Sequence, residues 1–236
     1  METPVNAPFK EKLRIEAAKL REMTFKNKLE YIWEYYKFHI AFTAIALFII
    51  VSLLNAWIIN PASDTVLFIS WNRGFVTDEQ SDRLKNHLEE RLVGEDAREE
   101  VVITPFFFTG DDPMTNMAEV QRTVAMLAAE IIDLFITDHA LLEDYSRIGY
   151  ILPFDQVLAE IQEKNPEAYS RIEENIVTAL FEIDEGVTES KTAGVKISGS
   201  PLLLKHGIFR QDLYISIAVT TGRIETIIET LILFFE

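Results

Sequence analysis

The sequence predicts an α/β fold. It reads as a single N-terminal transmembrane helix followed by one lobe, built on a mostly parallel sheet with flanking helices. Three observations predict this. A charge-free run covers residues 38–60. The charge balance changes sign at that run. After it, apolar runs of strand length alternate with stripes of helical spacing.

The charge-free run comes first. No residue between Lys37 and Asp64 is charged, and His39–Ile59 (HIAFTAIALFIIVSLLNAWII) holds four polar residues, His39, Thr43, Ser52 and Asn55. As a helix it rises about 31 Å, which matches a hydrocarbon core of about 30 Å. The apolar core of a signal peptide is shorter, about 7–15 residues. Asn60-Pro61-Ala62-Ser63 also makes a poor small-x-small cleavage site. The run therefore predicts a retained anchor. Lys19, Arg21, Lys26, Lys28 and Lys37 precede it, and only Arg73 follows within a similar distance. By the positive-inside rule the N-terminus is cytoplasmic and the C-terminal bulk lies outside. Tyr31, Trp33, Tyr35 and Tyr36 before the span and Trp57 near its far end suit the two headgroup layers.

The chain thus divides into a cytoplasmic helical arm (1–37), the span (38–60) and an extracytoplasmic α/β domain (61–236). In the arm, Leu13, Ala17 and Leu20 mark one helical piece over Phe9–Met23. Thr24 is placed to cap a second piece, whose Leu29, Ile32, Tyr36 and Ile40 form a stripe running into the span.

Elements of the outer domain follow in order. Thr65–Trp71 (TVLFISW) has the length of a buried strand. Thr77-x-x-Gln80 is a capping box, and Leu84, Leu88 and Leu92 carry the helix it opens as far as Gly94. Glu100–Phe108 is a second strand, confined by Pro105 to an edge or an early end. Thr109–Pro113 is a turn. Met117, Val120, Val124, Leu127 and Ile131 mark a helix, and Asp133–Thr137 a third strand. Strand–helix–strand–helix–strand with short connections predicts parallel, right-handed crossovers. Helices are expected at His139–Ser146, Phe154–Gln162 and Pro166–Leu180. Short strands are expected at Leu180–Ile183 and Val195–Ser198, around a turn-rich Asp184–Gly194. Asp212–Val219 is a strong strand. Ile224, Ile227, Ile228, Leu231 and Phe235 mark a terminal helix with Thr221 as its cap.

Several segments resemble one lobe of the extracellular solute-binding proteins of bacterial ABC importers. The main one is Asp133–Phe154 (DLFITDHALLEDYSRIGYILPF), whose Gly149–Phe154 matches that family's turn into a helix. Val101–Phe106 resembles the family's second strand, and Asp212–Glu236 its returning strand and helix. The resemblance implies a periplasmic-binding-protein-like fold on a bacterial cytoplasmic membrane. Two departures stand beside it. Only about 40 residues, Leu158–Ser198, occupy the place of the family's second lobe, too few for another doubly wound lobe. The family's usual lipid-bearing N-terminal cysteine is also missing.

Composition excludes several chemistries. Formal net charge is −16 and residues 61–236 hold 14 basic and 32 acidic side chains, which argues against binding a nucleic-acid backbone. With no cysteine there is no disulfide, zinc thiolate, iron–sulfur cluster or thiol nucleophile. The sequence contains no calcium loop, HExxH, GxSxG, P-loop or GxGxxG pattern. His39, His87, His139 and His206 show no metal-ligand spacing. No metal, no cofactor and no enzymatic activity are therefore expected.

Open parallel sheets meet ligands at the carboxyl ends of their strands. That rim places Trp71, Asn72, Thr109, Asp138 and His139 as candidate ligand-binding residues. An exposed Trp71 would stack a ring; the alternative is that it closes the core at the strand end. Leu202, Leu203 and Leu204 are candidate partner contacts, or else core. The first expectation is a non-enzymatic, membrane-anchored interaction module with a membrane-protein or small-molecule partner. The second is a solute-capture component of an importer, its missing lobe supplied by another chain. The third is a cell-envelope hydrolase, which no motif supports.

Overall fold

The computed structural model describes residues 23–59, 63–72, 76–94, 98–106 and 113–236, with Pro8, Arg14, Ile15, Ala17, Ala18 and Arg21 ahead of them. The expected turn at 109–112 and most of the expected helix at 9–23 lie outside these residues. The chain forms two compact units, Met1–Ala62 and Ser63–Glu236.

In the first unit one long helix, α1 (Phe25–Leu54), continues through a π-helical turn at Asn55–Ile59. The charged stretch before the apolar run and the run itself are therefore one continuous helix. Thr24 stands at its N-cap with extended backbone, and its carbonyl accepts from the Lys28 N–H at 2.9 Å. The Thr24 side chain makes no cap bond, so the start is set by the backbone. Phe25–Ile58, 34 residues, is long and apolar enough to cross a membrane, and its apolar window has no buried residue.

The second unit contains β1 (Asp64–Asn72), α2 (Asp78–Leu92), β2 (Glu99–Phe106), α3 (Pro113–Ala128), β3 (Leu134–Thr137), α4 (His139–Arg147) and β4 (Ile151–Leu152). These are followed by α5 (Asp155–Lys164), α6 (Pro166–Glu173), β5 (Ile176–Asp184), β6 (Val187–Lys196), α7 (Pro201–Lys205), β7 (Tyr214–Ala218) and α8 (Ile224–Phe235). The sheet runs β2-β1-β3-β7-β6-β5, with β4 paired to β7. Only β2, β1 and β3 are parallel to one another. The pairs β3–β7, β4–β7, β6–β7 and β5–β6 are antiparallel.

The sheet is thus mixed, which corrects the expectation of a mostly parallel one. Two features make it so: β7 runs antiparallel to β3, and the hairpin β5–β6 extends the sheet from β7. The expected helix Pro166–Leu180 ends at Glu173, and the chain turns into a strand that buries Ala179 and Phe181 and exposes Leu180. That is the period-2 pattern of a sheet. Glu185 and Gly186 turn the chain, with Gly186 at φ +75°, a conformation that suits glycine. A hairpin returns its second strand antiparallel, whereas a parallel return needs a helical crossover.

Helices cover both faces. On one face, Leu67, Ile69 and Trp71 of β1 pack with α2, α5, α6, α7 and α8 through residues such as Leu88, Ile161, Ile172, Leu203 and Phe234. On the other, Phe68 and Phe135 pack with Leu127 of α3 and with Leu141, Leu142 and Tyr145 of α4. Helix α2 starts as its sequence dictates. Thr77 Oγ1 accepts from the Gln80 N–H, and Gln80 Oε1 accepts from the Thr77 N–H. Gly194 lets β6 approach β7 closely, because a Cβ there would lie 2.5 Å from the Ile215 carbonyl oxygen.

Asp133, fully buried just before β3, joins the central elements. Its carboxylate accepts from the Phe68 N–H of β1 at 2.8 Å, from Thr221 Oγ1 at 2.7 Å and from Arg223 Nη1 at 2.9 and 3.0 Å. Its own N–H donates to the Phe68 carbonyl, and its carbonyl accepts from the Ala218 N–H of β7. Removing one partner of a buried pair costs about 3–5 kcal/mol when the other stays buried, and less here because the Arg223 side chain is 37% exposed. Asp133→Ala is expected to cost about 3 kcal/mol, or roughly 6–12 °C of melting temperature. Thermal unfolding followed by circular dichroism checks this; a shift under about 2 °C contradicts the role given to the carboxylate.

Candidate functional site

The strand ends of β1 and β3 place the expected ligand residues in three different environments. Trp71 is 1% exposed and belongs to the core face packed by α2 and the C-terminal helices. It closes the core, the second of the two readings, and offers no open ring face for stacking. Asn72, one residue on, points to the opposite face and is also fully buried. Asp138 and His139 are half-buried at the start of α4, and Thr109 lies outside the described residues.

Asn72 belongs to a polar cluster. Ser70 Oγ donates to Asn72 Oδ1 at 2.7 Å, and Asn72 Nδ2 donates to the Tyr145 hydroxyl at 2.8 Å. Tyr145 reaches it from α4, its ring edge-on to Phe135 with centroids 4.9 Å apart. Thr137 of β3 and Ser216 of β7 add two buried hydroxyls without hydrogen-bond partners. Ser70 pairs across the sheet with Phe135, and Phe135 with Ser216. The polar side chains thus sit on the face that carries Phe68, where a core would ordinarily be apolar. Buried hydroxyls without a partner are costly. Sequence reasoning singled out Asn72 but missed Ser70, Thr137, Tyr145 and Ser216. The signal was present: in Phe68-Ile69-Ser70-Trp71-Asn72, every second residue from Ser70 is polar, while Leu67, Ile69 and Trp71 are apolar.

Asp138 caps α4, its Oδ1 accepting from the Leu141 N–H at 2.8 Å. His139 lies 3.9 Å from Glu143 and edge-on to Tyr214, centroids 5.4 Å apart. Burial raises the Tyr214 hydroxyl pKa, and the charge and hydrogen bond of Asp212 raise it further. A second pairing, unread in the sequence, brings His87 of α2 within 5.2 Å of His206, centroid to centroid. Burial lowers both imidazole pKa values; Lys205 lowers that of His87 next, and the neighbouring His87 that of His206. Among the described residues no group of three His, Asp or Glu is placed to hold a metal ion.

Of the three candidate contact leucines, Leu202 and Leu203 are buried and Leu204 is 44% exposed. A single helical turn explains the split, since successive residues point about 100° apart. Exposed apolar surface appears instead on α3, where Met117, Val120 and Val124 follow i, i+3, i+7 spacing while Leu127 packs into the core. A cleft of about 440 Å³ is lined by Lys196, Ser198, Gly199, Leu204, Phe209, Arg210 and Gln211. Another, of about 570 Å³, lies between the start of α5 and β6, at Asp155, Gln156 and Lys191. Neither cleft includes Trp71, Asn72, Asp138 or His139.

No family model, curated protein or solved structure matches the chain. The cluster's structural contribution can be measured directly. Tyr145→Phe removes the acceptor of Asn72 Nδ2 inside the protein and is expected to cost about 1–3 kcal/mol. Denaturant unfolding checks this, and an unchanged midpoint contradicts it.

Proposed function

We propose that the chain is a non-enzymatic, membrane-anchored interaction module of a bacterial cytoplasmic membrane. In this reading α1 is the anchor, the N-terminal arm is cytoplasmic, and residues 63–236 lie outside and bind a protein partner in the same membrane. The observation that carries it is α1 with the turn that continues it: Phe25–Ile58, 34 residues, with an apolar window of which none is buried, in a chain whose other unit encloses its own core. Apolar side chains left in water forgo about 0.8 kcal/mol per CH₂, so such a helix favours a hydrocarbon phase. Trp33 and Trp57, both largely exposed, lie 24 residues apart, or about 36 Å along a helix, a spacing that suits two headgroup layers around a core of about 30 Å.

The exposed stripe Met117, Val120 and Val124 supports a protein partner, since exposed apolar clusters commonly mark contact sites. Solute capture at the strand ends has less support, because the aromatic platform it needs is buried at Trp71. Alkaline extraction tests the anchor: the full chain is expected to stay with the membrane pellet, and a chain lacking residues 38–60 to leave it. Full-length chain in the alkaline supernatant contradicts the anchor. A photoreactive residue at Val124 is expected to crosslink a membrane protein that the same residue at exposed Gln121 does not. Equal crosslinking from both positions contradicts the contact face.

A further inference from the structure

We propose that His87 and His206 form an acid-sensitive latch, which holds residues 204–211 against α2 while both rings are neutral.

The first observation is the contact. His87 stands on α2 and His206 is the C-cap of α7. Their ring centroids lie 5.2 Å apart, with the planes inclined at 54°. The second is a hydrogen-bonding one. His206 Nε2 is buried and has no hydrogen-bond partner among the described residues. An unprotonated nitrogen there is uncharged. A protonated ring carries an N–H on both nitrogens, so it would bury a charged donor with nothing to receive it. The cation is accommodated when the ring turns out of its place.

The third observation is charge. Lys205, Arg83 and Arg91 surround the pair, and Glu90 and Glu236 oppose them. Arg91 lies 3.0 Å from Glu236, so that carboxylate is already paired. Arg83 also stands beside the turn, since a Cβ on Gly207 would lie 3.9 Å from its Nη2. Burial is the largest effect on both rings and lowers both pKa values. Lys205 lowers that of His87 further, and Glu90 raises it against the net trend. For His206 the neighbouring His87, Lys205 and Arg83 all add to burial, and Glu90 opposes them. Both values therefore fall below the ordinary 6.5. The closed form binds fewer protons than the open one, so closure is fully favoured above pH 6.5 and is lost as pH falls through the lowered values.

What the latch holds is short and weakly tied. Helix α7 has five residues, and the His206 N–H reaches the Leu202 and Leu203 carbonyls at 3.3 and 3.2 Å. The Gln80 amide of α2 donates to the Gly207 carbonyl at 2.6 Å, a second tie to the same helix. Leu202 and Leu203 are buried and keep the start of α7 in the core. Opening is thus confined to residues 204–211. It uncovers Ile208, 2% exposed when closed, beside Leu204 and Phe209, which are exposed already. Acid thereby enlarges an apolar surface. In the reading above this segment meets the outer medium; the latch itself does not depend on that reading.

Hydrogen exchange of the full chain in lipid nanodiscs, corrected for the intrinsic pH dependence of amide exchange, tests the latch. Protection of residues 204–211 is expected to fall about tenfold or more between pH 7.5 and pH 5.5, because a proton bound by the open form alone favours opening about tenfold one unit below its pKa. Protection of β3 and β7 is expected to stay unchanged. His87→Phe with His206→Phe keeps two rings and removes their titration, and is expected to abolish the pH dependence. Lys205→Gln is expected to move the midpoint to higher pH and Glu90→Gln to lower pH. Unchanged protection of 204–211, or the same loss in the double variant, overturns the proposal. Equal loss in β3 and β7 is global acid unfolding and overturns it as well. Should the double variant fail to fold, the two single variants decide: midpoints that stay in place, or move in the opposite directions, overturn the latch.

Discussion

The α/β unit depends on one buried carboxylate. Asp133 takes hydrogen bonds from β1, from Thr221 and from Arg223, and its backbone binds both Phe68 and Ala218. A buried charge is tolerated only when paired and fully hydrogen-bonded, and here the partners come from two distant parts of the chain, Phe68 and the segment 218–223. The parallel strands come from the first half of the unit; β7 and the entry to α8 come from its last residues. Asp133 is where these two halves meet. It holds β7 beside β3, and β7 in turn receives β6 and β4.

The mixed sheet follows from that arrangement. With β7 antiparallel between β3 and β6, the hairpin extends the sheet without another helical crossover. The hairpin's far end reaches beyond the helices, so Leu180, Ile183 and Val187 are exposed there. Acidic side chains, Glu182, Asp184, Glu185 and Glu189, crowd the same end, a common means of discouraging edge-to-edge pairing. On the opposite edge, β2 carries Pro105, which lacks the N–H that a further strand would use.

Much of this was legible in the sequence wherever periodicity was strong and local. The long apolar helix, the Thr77–Gln80 capping box, β1, β3, α4 and α8 all follow from local sequence patterns. Other features were not legible, for identifiable reasons. Tyr169, Ile172, Ile176 and Leu180 keep helical spacing past Asn175, and only tertiary packing of Ala179 and Phe181 makes that end a strand. Trp71 sits where a strand end meets solvent in a simple sheet, but α2 and the C-terminal helices bury it. The Asn72–Tyr145 contact and the His87–His206 pair join residues far apart in sequence, for which spacing carries no signal. Among the described residues, the α3 stripe was read as a helix marker, and its exposure was visible only in three dimensions.

The proposed function requires the N-terminal arm to be cytoplasmic and residues 63–236 to lie outside. Single-cysteine accessibility in the otherwise cysteine-free chain tests it most directly. A membrane-impermeant maleimide applied to intact cells is expected to label Glu185→Cys. It is expected to label Arg21→Cys only after lysis. Labelling of both positions in intact cells, or of Arg21→Cys alone, contradicts the account.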